Sequence, residues 1–256
     1  MGGAVRIRDS VALVTGASSG IGWATAVRLS GAGARLVVHG RDQARLAELA
    51  DLVNGVPLTG ELAAPGQVDR LAEAALDVAG RVDIVVHNAG SGWAGSFDRM
   101  PQPDIGRLIA VNLAAPIGLT RAVLPQMRAR GDGHLMFVTS IAGRVGVAGE
   151  AVYAATKAGL DAFAESLRLE LRGSGVGVGA LAPGVVQTRF FERRGQPYAR
   201  SRPRPIPAER VADVLVRAIK SGRDDRYVPG WLRLPVAVRA VAPGLYRRLA
   251  GRYGGS

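Results

Sequence analysis

The 256-residue chain has no cysteine, so disulfides and thiolate chemistry are excluded while the redox compartment stays open. Lysine is nearly absent as well: two residues, Lys157 and Lys220, stand against thirty-one arginines. No apolar run approaches the roughly 18 residues that a membrane-spanning helix needs. The first ten residues carry Arg6, Arg8 and Asp9 and no apolar stretch, which is not the pattern of a signal peptide. No internal repeat and no second domain stand out, so one unit over residues 1–256 is expected, with no metal site. Acidic residues are scarce in one region only. Residues 189–256 hold 16 Lys and Arg against 5 Asp and Glu, whereas residues 1–188 hold 17 against 16, so nearly all of the net +12 lies in the tail.

One of the two lysines invites a chemical explanation. Lys157 sits four residues after Tyr153 and seventeen after Ser140. On a helix, positions i and i+4 share a face, so phenol and ammonium reach one pocket. A phenol titrates near ~10 in water, and a cation within about 4–6 Å favours its ionised form. Towards the N-terminus, the short apolar run Val11-Ala12-Leu13-Val14 reads as a buried strand. It leads into Thr15-Gly16-Ala17-Ser18-Ser19-Gly20-Ile21-Gly22 and a helical pattern through Leu29. Glycines permit a tight turn there, and the unpaired N–H groups of a helix start attract a pyrophosphate. Further strands read at about 35–39, 56–58, 83–87, 134–139, 177–181 and 226–228, with helices between most of them. This alternation specifies an α/β fold, a doubly wound parallel sheet of about seven strands.

In order and spacing, the Thr15 to Gly22 loop, Asn88-Ala89-Gly90, Asn112, Ser140, the Tyr153/Lys157 pair and Pro183-Gly184-Val185-Val186-Gln187-Thr188 resemble the short-chain dehydrogenase/reductase family. The resemblance covers roughly residues 8 to 190. It implies a Rossmann-type fold and an oxidoreductase that interconverts a ketone or aldehyde with its alcohol. Cofactor contacts are implied at Gly16, Ser18, Ser19, Gly20, Ile21 and Gly22, at Asn88, Ala89 and Gly90, at Tyr153 and Lys157, and at Pro183, Gly184, Val186 and Thr188. Catalysis is implied for four side chains. Ser140 would hold the substrate oxygen, Tyr153 would exchange the proton, Lys157 would stabilise the phenolate and hold the nicotinamide ribose, and Asn112 would support a water chain. Gly40 stands where NAD-using members carry Asp, and Arg41 follows it, so NADP(H) is expected in preference to NAD(H). Asp42 is the ribose candidate if that alignment slips. Glu61-Leu62 occupies the adenine position, where Glu61 is one methylene longer than the usual Asp. Family members form homodimers or homotetramers through the helices carrying Asn112 and Tyr153. A nucleotide-dependent enzyme without an export signal is expected in the cytoplasm.

Residues 189–207 correspond to the family's variable substrate loop, which with residues 91–103 shapes the pocket. Trp93, Phe97, Phe190 and Phe191 suggest apolar contact. Arg193, Arg194, Arg200, Arg202 and Arg204 would meet an anionic substrate or keep the loop soluble. Residues 228–256 mix apolar side chains with Arg233, Arg239, Arg247, Arg248 and Arg252. That extension fits a membrane surface, an oligomer contact or a cover over the pocket. No Asp-Gly-Gly turn follows Tyr227, which turns the comparison towards family members acting on lipophilic alcohols and ketones. A 3-ketoacyl-carrier-protein or polyketide-type ketoreductase is the alternative, with an acidic carrier protein docking on the arginines. A non-catalytic NADP(H)-binding regulatory module is the alternative of another class. Nucleic acid is not expected, since prolines and apolar residues interrupt the basic tail and no reading motif forms.

Overall fold

The computed structural model describes residues 6–198, 202–222 and 225–253, with side chains described through residue 250. Residues 1–5, Arg200 and the side chain of Arg252, all read above, lie outside that set. β1 (Val11–Thr15) enters α1 (Gly20–Gly31), β2 (Arg35–Gly40) enters α2 (Gln43–Val53) and β3 (Val56–Thr59) enters α3 (Gln67–Ala79). β4 (Ile84–His87) leads into α4 (Gln102–Ile109), a π-helical turn (Ala110–Ala114) and α5 (Ala115–Arg130). β5 (Gly133–Val138) precedes α6 (Ile141–Val145) and α7 (Ala151–Glu170). After β6 (Val176–Pro183) come β7 (Val186–Gln187), α8 (Phe190–Arg193), β8 (Ile206–Pro207), α9 (Ala208–Ser221), β9 (Asp225–Val228), α10 (Arg233–Val241) and α11 (Pro243–Tyr253).

The main sheet has seven strands in the order β3-β2-β1-β4-β5-β6-β9, every neighbouring pair parallel. This is a Rossmann-type sheet. Val14 pairs with Val38 on one side and Val86 on the other, so the strand order reverses beside β1 and opens a crevice at the carboxyl ends of β1 and β4. Successive residues of β1 face opposite layers. Ala12 and Val14 join Leu29, Leu49 and Leu215 in one core, whereas Val11 and Leu13 join Leu71, Leu119 and Leu160 in the other. Burial on both faces is why these strands read as continuous apolar runs. Each fully buried leucine of this kind contributes about 1.5–3 kcal/mol.

Two features depart from the sequence expectation. Gln102–Arg130 forms one helical rod that is long and apolar enough, by length and composition, to cross a membrane. In the fold it is a core helix, with Leu119, Val123 and Met127 buried against the sheet. The second feature is the β7–β8 pair, in which Val186 aligns with Ile206 and Gln187 with Pro207, tying together the two ends of the 189–207 loop.

Candidate active site

The loop after β1 is built for backbone contact. Gly16 has a left-handed φ of 65°, and a Cβ there would stand 2.7 Å from Ala89 Cα. A Cβ on Gly22 would stand 2.4 Å from the Gly16 carbonyl oxygen. No side chain fits at either point without moving the chain. Asn88 holds the loop from below: its Nδ2 donates to the carbonyls of Thr15 (2.9 Å) and Gly16 (3.1 Å). Thr15 Oγ1 accepts in turn from the Asn88 and Ala89 amides, each at 3.1 Å. The ends of β1 and β4 are thereby fused into one floor, and the N-terminus of α1 opens above it.

At the end of β2, Gly40 packs on Ser18. A Cβ on Gly40 would approach Ser18 Cβ to 3.2 Å, closer than ordinary contact, so an acidic side chain there would force a shift. Arg41 reaches across the cavity edge and donates to Glu61 Oε2 at 2.8 Å, both side chains half-exposed. The longer acid at 61 is therefore turned towards Arg41. Asp42 caps α2, accepting from the Arg45 amide at 3.1 Å, which gives its carboxylate a local structural use. His39 is buried beside this group, and burial pushes its imidazole down to about 4.

Ser140 closes β5 and caps α6, its Oγ accepting from the Ala142 amide at 3.1 Å. Tyr153 and Lys157 lie on α7, both buried, with Lys157 Nζ 5.9 Å from the tyrosine ring centre. The expected lowering of the phenol is not what the site produces. Burial pushes Tyr153 up to about 12; a hydrogen bond with Ser140 works against that rise, Glu150 adds to it and Arg194 opposes it. The lysine is directed elsewhere, since Nζ donates to the Val138 carbonyl at 2.9 Å. Its own burial pulls it down to about 8, with Asp161 opposing.

Asn112 is fully buried in the π-helical turn. Its Oδ1 accepts from the Ser91 amide (2.8 Å), and its Nδ2 donates to the Ser91 carbonyl (2.9 Å) and to Thr156 Oγ1 (3.1 Å). These bonds make Asn112 a clamp that fixes the loop after β4 against α7. Both amide protons are committed, leaving one Oδ1 lone pair for the expected water contact. Gly90 lies beside it, where a Cβ would come within 3.4 Å of Asn112 Oδ1 and 3.6 Å of Lys157 Nζ.

On the other wall, the Gly184 amide donates to the Val228 carbonyl at 2.8 Å, and a Cβ on Gly20 would strike the Thr188 methyl at 2.8 Å. The segment after Thr188 folds over α7. The Phe190 ring lies 5.3 Å from the Tyr153 ring, and the Arg194 guanidinium covers Phe191 at 4.5 Å and pairs with Glu150, both partners of that ion pair being largely buried. Arg193 reaches Ser19 Oγ at 3.5 Å, so the loop also touches the glycine turn. A cavity of about 900 Å³ results, lined by residues as distant in sequence as Gly16, Arg41, Leu62, Ser140, Tyr153 and Phe190. That volume lies near the upper end for ligand sites. Of the site residues expected from sequence, Gly22 and Asn112 stand behind the wall and the rest line it. Trp93 and Phe97 line instead a neighbouring cavity of about 200 Å³, which shares Tyr153. Glu150 and Thr156 were not anticipated. Their partners, Arg194 and Asn112, each lie 44 residues away.

A glycine floor at the strand-order reversal, beside a buried Ser-Tyr-Lys group, defines a nucleotide-dependent oxidoreductase site of the Rossmann class. Residues 10–199 match the short chain dehydrogenase family, and the chain belongs to it. An uncharacterized oxidoreductase of Staphylococcus epidermidis is 33% identical over 216 residues, 84% of this chain and 92% of that protein. A short-chain dehydrogenase/reductase of Burkholderia phymatum, solved with NAD, superposes with a TM-score of 0.85 at 26% identity, over 94% of this chain and 96% of that one. A short-chain dehydrogenase of Sphingobium yanoikuyae, solved with NADPH, gives 0.81 at 30% identity, over 93% and 94%.

Proposed function

We propose that this oxidoreductase uses NADP(H) in preference to NAD(H) and interconverts a lipophilic ketone or aldehyde with its alcohol. The observation that carries the reading is a buried Tyr153 phenol lining one cavity with the buried Ser140 hydroxyl, Lys157 and the glycine floor. The floor fits a dinucleotide, since Gly16, Gly20, Gly40 and Gly90 line it without side chains beside the N-terminus of α1. When bound, the nicotinamide supplies a hydride to the carbonyl carbon. Ser140 Oγ holds the carbonyl oxygen, and Tyr153 gives its proton to that oxygen as negative charge develops. A phenol held near 12 remains protonated at neutral pH and is ready to act in the reducing direction. Asn112 and Asn88 keep the two loops in place beneath it.

Preference for the phosphorylated cofactor rests on position 40, where glycine packs on Ser18 in place of an acid, and on Arg41 at the cavity edge. The Sphingobium yanoikuyae neighbour holds NADPH, whereas the Burkholderia phymatum neighbour holds NAD. Apolar substrate contact follows from Phe190 and Phe191 in the cavity wall. The test is a titration with both reduced cofactors, followed by NADPH consumption against a panel from small polar ketones to steroids, long-chain aldehydes and ketoacyl thioesters. Tighter NADPH binding that Arg41→Ala abolishes, with turnover of lipophilic carbonyls, is expected. Equal affinities lost equally in Arg41→Ala would sink the phosphate assignment, and turnover confined to ketoacyl thioesters would replace the substrate class.

A further inference from the structure

Among the described residues, none beyond β9 lines the cavity, yet this region gathers much of the exposed apolar surface. Trp231, Leu234, Val238, Val241, Leu245 and Leu249 are all exposed, Leu234 to 62% and Val241 to 87%. Leu234, Val238 and Val241 stand at i, i+4 and i+7 and share one face of α10; Leu245 and Leu249 stand at i and i+4 on α11. Arg233, Arg239, Arg247 and Arg248 are exposed among them, and from Arg226 to Ser256 the sequence contains no acidic residue. An apolar stripe interleaved with arginines, in a segment without acids, is an unusual solvent surface.

Its placement is fixed. Tyr246 donates from its hydroxyl to the Val145 carbonyl at 3.0 Å, and Arg239 donates to the Arg144 carbonyl. α10 and α11 thus rest on α6, the helix that Ser140 caps and whose Ile141 and Ala142 line the cavity. Leu232, just before α10, is buried, so the connection is anchored as well.

We propose that Trp231, α10 and α11 form a docking surface for an anionic lipid bilayer. A lipid interface offers hydrocarbon and phosphate in one plane, which matches apolar side chains interleaved with arginines. A second copy of the chain matches less well: a two-fold contact sets like against like, and the arginines would face arginines with no carboxylate in the segment to pair them. Docking in this way leaves α10 and α11 as the layer between the lipid and α6. The proposal does not depend on which cofactor or carbonyl the site takes.

The test uses the full chain with vesicles of phosphatidylcholine, with and without phosphatidylglycerol, sedimented at low salt. The protein is expected to sediment with the anionic vesicles and much less with the neutral ones, each interfacial arginine adding about fivefold to partitioning. Because a chain of net +12 is attracted to any anionic surface, the decisive variant keeps every charge: Leu234→Ser/Val238→Ser/Leu245→Ser. It is expected to partition at least about tenfold more weakly, given what burying three such side chains contributes, while cofactor affinity stays unchanged. Brominated lipid is expected to quench tryptophan fluorescence in the native chain and to lose that effect in Trp231→Phe. Failure of the native chain to bind anionic vesicles, or equal binding by the serine variant, overturns the proposal. A fall in oligomer size in the serine variant, read by light scattering, overturns it in favour of a contact between copies.

Discussion

Burial moves Tyr153 and Lys157 in opposite directions, the phenol up to about 12 and the ammonium down to about 8, so at neutral pH both still carry their protons. As pH rises through about 8, Lys157 loses its charge first and Tyr153 remains a phenol. The rate of carbonyl reduction at saturating cofactor is therefore expected to be level below about pH 7 and to fall through about pH 8. In Lys157→Met the rate is expected to be lower and free of that inflection. A native profile flat from pH 7 to 9 would contradict the lysine's part. That these three side chains share one cavity was legible in the sequence, because a phenol, an ammonium and a hydroxyl in register carry a signature. The direction of the phenol's shift was not, since it depends on how deeply α7 is buried and on Lys157 turning to the Val138 carbonyl.

Strands of the sheet were legible to within one or two residues, because doubly buried strands leave continuous apolar runs, and helices were legible as the stretches between them. The π-helical turn around Asn112 has no such mark, and neither does the two-residue β7–β8 pair, whose partners are joined across the substrate loop. The loop's attachment to α7 is a property of elements too. Arg194, beyond α8, pairs with Glu150, the residue just before α7, and the two oppose each other's influence on Tyr153. Arg194→Ala leaves the buried Glu150 carboxylate unpaired near the phenol. Turnover is expected to drop about tenfold, the equivalent of about 1.4 kcal/mol of lost coupling. Adding Glu150→Gln is expected to restore much of it. A double variant as slow as Arg194→Ala alone would count against the latch.

On the scale of the whole molecule, three histidines are folded into the interior without charge. Burial pushes His39 and His134 down to about 4 and His87 to about 3, against an ordinary 6.5. Between those values the unfolded chain binds protons that the folded chain does not, so stability is full above about pH 6.5 and declines as pH falls towards 4. Asp161, which burial raises, works in the opposite sense as a single group. Each histidine contributes on the order of 3 kcal/mol to that decline. Urea denaturation is expected to show a clearly lower midpoint at pH 5 than at pH 7.5, and an equal or higher midpoint would contradict the burial argument. The uneven charge was legible from composition alone, whereas its division between the cavity wall, at Arg193 and Arg194, and the exposed faces of α10 and α11 required the fold. Tyr153 is expected to supply the proton, while the bulk of the cofactor floor is formed by the glycine turn and the end of β4. The most direct measurement compares native chain and Tyr153→Phe for NADPH affinity and for turnover of a lipophilic carbonyl. Affinity within a few-fold of native, with turnover reduced by about 10²–10⁴, is the expected result. Near-native turnover in the phenylalanine variant would contradict the account.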